Sequence, residues 1–71
     1  MPKCPVGNSI RALRFAHREM TQQALAERIG VTRQTVIAIE RRRHSPSLET
    51  AFRIAEVFRL PLTEVFSYPE P

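Results

Sequence analysis

Apolar residues recur at helical spacing along most of this chain. Ile10, Leu13 and His17 fall on one side of a first helix, with Ala12 and Ala16 beside them. Asn8 or Ser9 is placed to cap that helix, which is expected to end near Arg18. Leu25, Ala26 and Ile29 give a second helix its inner face, with Thr21 as its cap and Gly30 as its stop. Thr32 caps a third helix running to Arg41 or Arg42. Its polar start, Thr32-Arg33-Gln34-Thr35, gives way to the apolar run Val36-Ile37-Ala38-Ile39 before Glu40. "HSPS" at 44–47 breaks the pattern, because Pro46 disfavours helix at the residue before it. Ser47 caps a fourth helix whose stripe is Leu48, Ala51, Phe52, Ala55 and Phe58, with Ile54 adjoining. Pro61 ends it, and a short fifth helix takes Leu62, Val65 and Phe66. No long stretch alternates with a two-residue period, although "EVFSY" at 64–68 has the aromatic and β-branched content to pair as a short strand. The expected fold is all-α: a five-helix bundle over residues 8–67, a flexible N-terminal arm at 1–7 and a C-terminal tail at 68–71.

Residues 22–41 carry a more specific pattern. Leu25, Ala26 and Ile29 point inward from one helix, Val36 and Ile39 from the next, and Val31 tucks under the turn between them. Ala26 lies where two crossing helices meet, which calls for a small side chain. Gly30 lies where the turn needs positive φ, which glycine adopts without steric cost. This is the pattern of a helix-turn-helix.

Length and charge narrow the reading further. The 71 residues make one domain. No apolar run approaches the ~20 residues that span a membrane, and no apolar secretory core follows the first five residues. Cys4 is the sole cysteine, so no intrachain disulfide and no cysteine zinc site is available. A reducing, cytoplasmic setting is expected. The net charge is +4, unevenly spread: residues 1–44 carry nine Lys/Arg against three Glu, and residues 45–71 carry two Arg against four Glu. A basic half suggests a polyanionic partner. His17 and His44 lie in different segments with no carboxylate cluster around them, and there is no phosphate loop. No catalytic residue, metal, cofactor or small-molecule ligand is therefore expected.

"TQQALAERIGVTRQTVIAIE" followed by "SPSLETAFRIAEVF" resembles the Xre-type family of bacterial and phage regulators, which includes the phage repressors and Cro proteins. The resemblance covers roughly residues 8 to 67. It implies a lambda-repressor-like DNA-binding domain with no effector domain attached, acting as a transcriptional regulator, by expectation a repressor. With Val36 and Ile39 inside, Arg33, Gln34, Ile37, Ala38 and Arg41 face outward. In the resembling regulators that face lies in the major groove of double-stranded DNA. Arg33 would then take both acceptors of a guanine, Gln34 would bridge adenine N6 and N7, and Ile37 and Ala38 would pack on a thymine methyl or the sugar edge. The resemblance also gives phosphate contacts to Gln22 and the run Arg41-Arg42-Arg43, and Thr32, besides capping its own helix, is placed to touch a phosphate as well.

Glu40 leans toward the core, where a carboxylate needs a partner. The resemblance supplies Arg14, as a structural pair. Two departures from the family pattern stand out. "HREMT" at 17–21 links the first two helices without glycine, with Met20 expected to plug the core. Arg42 stands where many members carry glycine, so a left-handed backbone there would be strained by about 1 kcal/mol. So short a chain reads few base pairs. A homodimer on a palindromic or pseudo-palindromic operator is expected, with Val65, Phe66 and Tyr68 as the pairing surface unless they close the monomer's own core. The rival reading is a protein-binding helix-turn-helix module, such as the antitoxin of a toxin–antitoxin pair.

Overall fold

The computed structural model describes residues 4–68, so the first three arm residues and the last three tail residues lie outside the described region. The five helices are α1 (Ile10–Ala16), α2 (Gln22–Ile29), α3 (Arg33–Glu40), α4 (Leu48–Phe58) and α5 (Leu62–Val65). Hydroxyl caps start three of them. Thr21 accepts from the Ala24 N–H, Thr32 from Thr35 and Ser47 from Thr50, each satisfying a donor the helix leaves without a partner. Gly30 ends α2 in the left-handed region, at φ 75°, and its N–H returns to the Ala26 carbonyl. The Arg53 guanidinium donates to the Ile29 carbonyl at 3.2 Å, covering the same helix end.

α1 uses one of its two expected caps and ends earlier than expected. Ser9 holds the cap position without a side-chain bond, and Asn8 does the work instead. Its Oδ1 accepts from the Ile10 N–H at 3.2 Å, and its Nδ2 donates to the Ile39 carbonyl at 2.9 Å. One amide thus joins the start of α1 to the end of α3. The helix stops at Ala16 rather than near Arg18, because Arg18 and Glu19 both adopt positive φ, at 58° and 52°. Those two residues supply the reversal that a glycine link would otherwise make.

Only Phe66–Ser67 of "EVFSY" is extended. This strand, β2, pairs antiparallel with β1 (Gly7–Asn8), Gly7 facing Ser67 and Asn8 facing Phe66. Gly7 is close against its partner: a Cβ there would lie 3.1 Å from the Ser67 hydroxyl. Residues 4–7, expected as part of a flexible arm, are thus engaged. The Cys4 N–H donates to the Arg42 carbonyl at 2.7 Å, and Arg42 donates back to the Cys4 carbonyl from Nε at 3.2 Å.

The core joins Ile10 of α1, Leu25, Ala26 and Ile29 of α2, Val36 and Ile39 of α3, Ile54, Ala55 and Phe58 of α4, and Val65 of α5. Each large aliphatic buried here contributes roughly 1.5–3 kcal/mol. Leu13, Met20, Val31, Leu62 and Phe66 seal its edge. The α4 stripe needs correction. Ala51, Ile54, Ala55 and Phe58 face inward, whereas Leu48 is 67% and Phe52 55% exposed. Phe52 follows buried Ala51 by one residue, ~100° round the helix, which carries it off the core. Leu48 occupies the first turn of α4, beyond the core's edge.

Candidate nucleic-acid interface

α3 divides cleanly by face. Val36 and Ile39 are buried, which fixes the rotation of the helix on the core. Thr32, Arg33 and Gln34 are exposed at its start, while Ile37 and Ala38 are half-buried on the outer side. Ile37 is therefore less exposed than the periodicity alone suggests, yet it still offers apolar surface between the polar first turn and Arg41. The Thr32 hydroxyl accepts from the Thr35 N–H at 3.2 Å and lies 3.0 Å from the Thr35 hydroxyl.

Three elements are tied together behind this face. Arg14 donates from Nε to Glu40 Oε2 at 2.7 Å and from Nη2 to Glu40 Oε1 at 3.1 Å. Its Nη1 donates to the Met20 carbonyl at 2.8 Å. Gln22, at the first position of α2, adds Nε2 to Glu40 Oε1 at 3.2 Å. A two-point guanidinium–carboxylate pair is both stronger and more directional than a single contact. It sets α3 against α1, the link at Met20 and the start of α2.

In front of this network lies an open cavity of about 580 Å³ between α1, the start of α2 and α3. Its walls bring together Gln22, Arg33 and Arg41, three of the residues singled out from the sequence, with Arg11 and Phe15 of α1. Among the described residues Glu40 is the only acidic one on the wall, and Arg14 neutralises it. Among the described residues no carboxylate pairs with Arg11, Arg33 or Arg41, so the cavity is net positive. Such a concavity concentrates anions.

The basic run after α3 does not act as one block. Arg41 and Arg43 are exposed. Arg42 is half-buried at φ 60°, and its guanidinium turns back to the Cys4 carbonyl at 3.2 Å and the Pro5 carbonyl at 3.5 Å. The expected pairing surface also separates. Val65 is buried in the monomer's own core, Phe66 is half-buried against it, and Tyr68 is 73% exposed. Val65 is thus a core residue with no surface to offer a second chain. Arg11 and Phe15 were not anticipated from the sequence. The signal available was Arg11 one helical turn before Arg14, on the same side of α1.

No helix among the described residues is long and apolar enough to cross a membrane. The helix-turn-helix family model HTH_3 matches residues 10–65. Over 63 residues the chain is 41% identical to an uncharacterised HTH-type transcriptional regulator of Methanocaldococcus jannaschii, covering 89% of this chain and 94% of that protein. It is 42% identical over 59 residues to the uncharacterised HTH-type transcriptional regulator YgzD of Bacillus subtilis, covering 83% and 88%. It is 36% identical over 63 residues to the cryptic phage CTXphi transcriptional repressor RstR of Vibrio cholerae, spanning 89% of this chain and 56% of RstR. A crystal structure of a Bacteroides fragilis protein to which DNA binding is ascribed shares the fold, with a TM-score of 0.74 at 22% identity over 87% of this chain and 98% of that one. The two crossing helices around Gly30, the outward-facing start of α3 and these relatives agree: the chain belongs to the Xre-type, lambda-repressor-like helix-turn-helix family of transcriptional regulators.

Proposed function

We propose that the protein is a repressor that binds double-stranded DNA sequence-specifically as a homodimer, with α3 in the major groove. The division of α3 is the observation that carries this reading: Val36 and Ile39 anchor it, and Arg33, Gln34, Ile37 and Ala38 are left facing outward. A groove-lying helix reads bases with such a mixed face, two side chains capable of bidentate hydrogen bonding and two that meet thymine methyls. Gln22, Thr32, Arg41 and Arg43 hold the flanking backbone phosphates. Arg42 drops out of that set, because its guanidinium is engaged with the Cys4 and Pro5 carbonyls. The likeness to RstR, a phage repressor, supports the sign of regulation. Exposed Tyr68, with the outer edge of Phe66, is the pairing surface. Pairing places two copies of α3 on half-sites about one helical turn, ~34 Å, apart.

Fluorescence anisotropy with a labelled random duplex tests the DNA reading. Micromolar binding at about 50 mM salt that weakens steeply by about 200 mM is expected. No binding at the lower salt overturns it in favour of a protein partner. Selection from a random DNA pool then tests the dimer, which requires a palindromic or pseudo-palindromic consensus.

A further inference from the structure

We infer that α1 supplies a phosphate clamp of its own: Arg11, steadied on the ring of Phe15, holds a backbone phosphate of duplex DNA at the mouth of the cavity beside Gln22, Arg33 and Arg41. The inference rests on the DNA reading above and extends the interface beyond the helix-turn-helix to the first helix.

Five observations carry it. Arg11 is exposed, and among the described residues its guanidinium has no hydrogen bond and no carboxylate partner. Arg14, one turn along, is fully engaged with Glu40 and the Met20 carbonyl, so Arg11 is the guanidinium of α1 on this wall that is free to bind. The Arg11 guanidinium carbon lies 6.0 Å from the centre of the Phe15 ring. Phe15 itself is 56% exposed and takes no place in the core, so its size answers to no packing need of the fold. An arginine stacked on an aromatic face is pre-oriented and loses less side-chain freedom when it grips an anion. Its five donors match the oxygens of a phosphate in a bidentate grip. Arg11 also shares the wall with Gln22, Arg33 and Arg41, so it adds to the positive charge of that cavity.

The test compares salt dependences of duplex binding by anisotropy for the full chain, Arg11→Gln, Phe15→Leu, the double variant and Arg28→Gln. Arg28 is exposed on α2 and lies off the cavity wall, so its variant carries the same charge change without the contact. Arg11→Gln is expected to make the slope of log K against log salt shallower by about 0.9, the value of one phosphate contact on B-DNA. Arg28→Gln is expected to leave the slope unchanged. Phe15→Leu is expected to weaken binding about two- to fivefold at fixed salt in the parent chain, and to add nothing once Arg11 is replaced, because the ring acts through that guanidinium. Melting by circular dichroism is expected to be unaltered in Arg11→Gln, which loses no hydrogen bond. A parent chain that binds steeply with salt while Arg11→Gln keeps the parent slope overturns the clamp and leaves the DNA reading intact. A Phe15→Leu effect that persists undiminished in the Arg11→Gln background also overturns it. A parent chain that fails to bind duplex overturns both.

Discussion

Arg14 and Glu40 meet at two points, at 2.7 and 3.1 Å, with their side chains only 12% and 8% exposed. Gln22 Nε2 reaches the same carboxylate. Removing one partner of a pair so well covered leaves the other charge without compensation, which costs about 3–5 kcal/mol. Glu40→Ala is therefore expected to melt more than about 10 °C below the parent, given roughly 4–8 °C per kcal/mol in a domain of this size. The Glu27 side chain is exposed and, among the described residues, bonds only Gln23. Glu27→Ala is expected to change stability by no more than about 0.5 kcal/mol. Equal melting temperatures for the two variants would show that the pair does not anchor α3.

The left-handed residues Arg42 and Arg59 separate backbone strain from side-chain bonding. Arg59 closes α4 at φ 55°, and its exposed side chain makes no hydrogen bond among the described residues. Relieving an L-residue of this conformation is worth about 1 kcal/mol, so Arg59→Gly is expected to raise the melting temperature by several degrees. Arg42 has the same backbone but ties down Cys4 and Pro5 through its side chain. Each such bond contributes about 1 kcal/mol, so Arg42→Gly is expected to gain nothing or to lose stability. Urea titrations of the two variants check the contrast. A rise of equal size in both would mean the Arg42 side-chain bonds are without weight.

Two neighbours on α4 test the corrected stripe. Phe52 is 55% exposed, whereas Ile54 is fully buried between helices. Phe52→Ser is expected to stay within about 0.5 kcal/mol of the parent by urea titration. Ile54→Ala, which opens a cavity in the centre of the core, is expected to cost about 2–5 kcal/mol. A large loss from Phe52→Ser would mean that this ring is covered in solution.

What was legible in the sequence is mostly local. Thr21, Thr32 and Ser47 cap the helices they precede, and Gly30 takes the positive φ its position demands, because each acts within four residues of itself. The inner face of the helix-turn-helix was equally legible, since Leu25, Ala26, Ile29, Val36 and Ile39 obey one helical period. That Glu40 needs a partner was within reach because a core-leaning carboxylate demands one, but the choice of Arg14 came from the family resemblance and not from the spacing. The misplacements depend on distant partners. Leu48 and Phe52 carry the right residue types, but whether another element covers them is decided elsewhere in the chain. Asn8 bonds a residue thirty-one positions away, and Arg42 one thirty-eight away. No periodicity registers either contact, so the arm passed for loose and Arg42 for a surface cation. Val65 satisfies the description of an exposed apolar residue and of a core plug equally well, and only the packing of α5 chooses the second.

Gln34 and Arg41 offer the sharpest separation of base reading from backbone holding. Both are exposed on or beside α3, but they differ in place: Gln34 stands in the first turn away from the positive cavity, and Arg41 lines it. A glutamine that bridges one adenine contributes about 1–3 kcal/mol of discrimination at that base pair and little elsewhere. A phosphate-holding arginine contributes to every sequence alike and to the salt slope. Once a consensus site has been selected, Gln34→Ala is expected to relax preference at one position in each half-site while binding of random duplex stays near the parent value. Arg41→Gln is expected to weaken consensus and random duplex by the same factor and to make the salt slope shallower by about 0.9. Competition titrations with single-base-pair variants of the site measure both effects. If Gln34→Ala weakens all sequences equally, its side chain holds backbone rather than bases, and α3 then sits in the groove in a different rotation from the one its buried face implies.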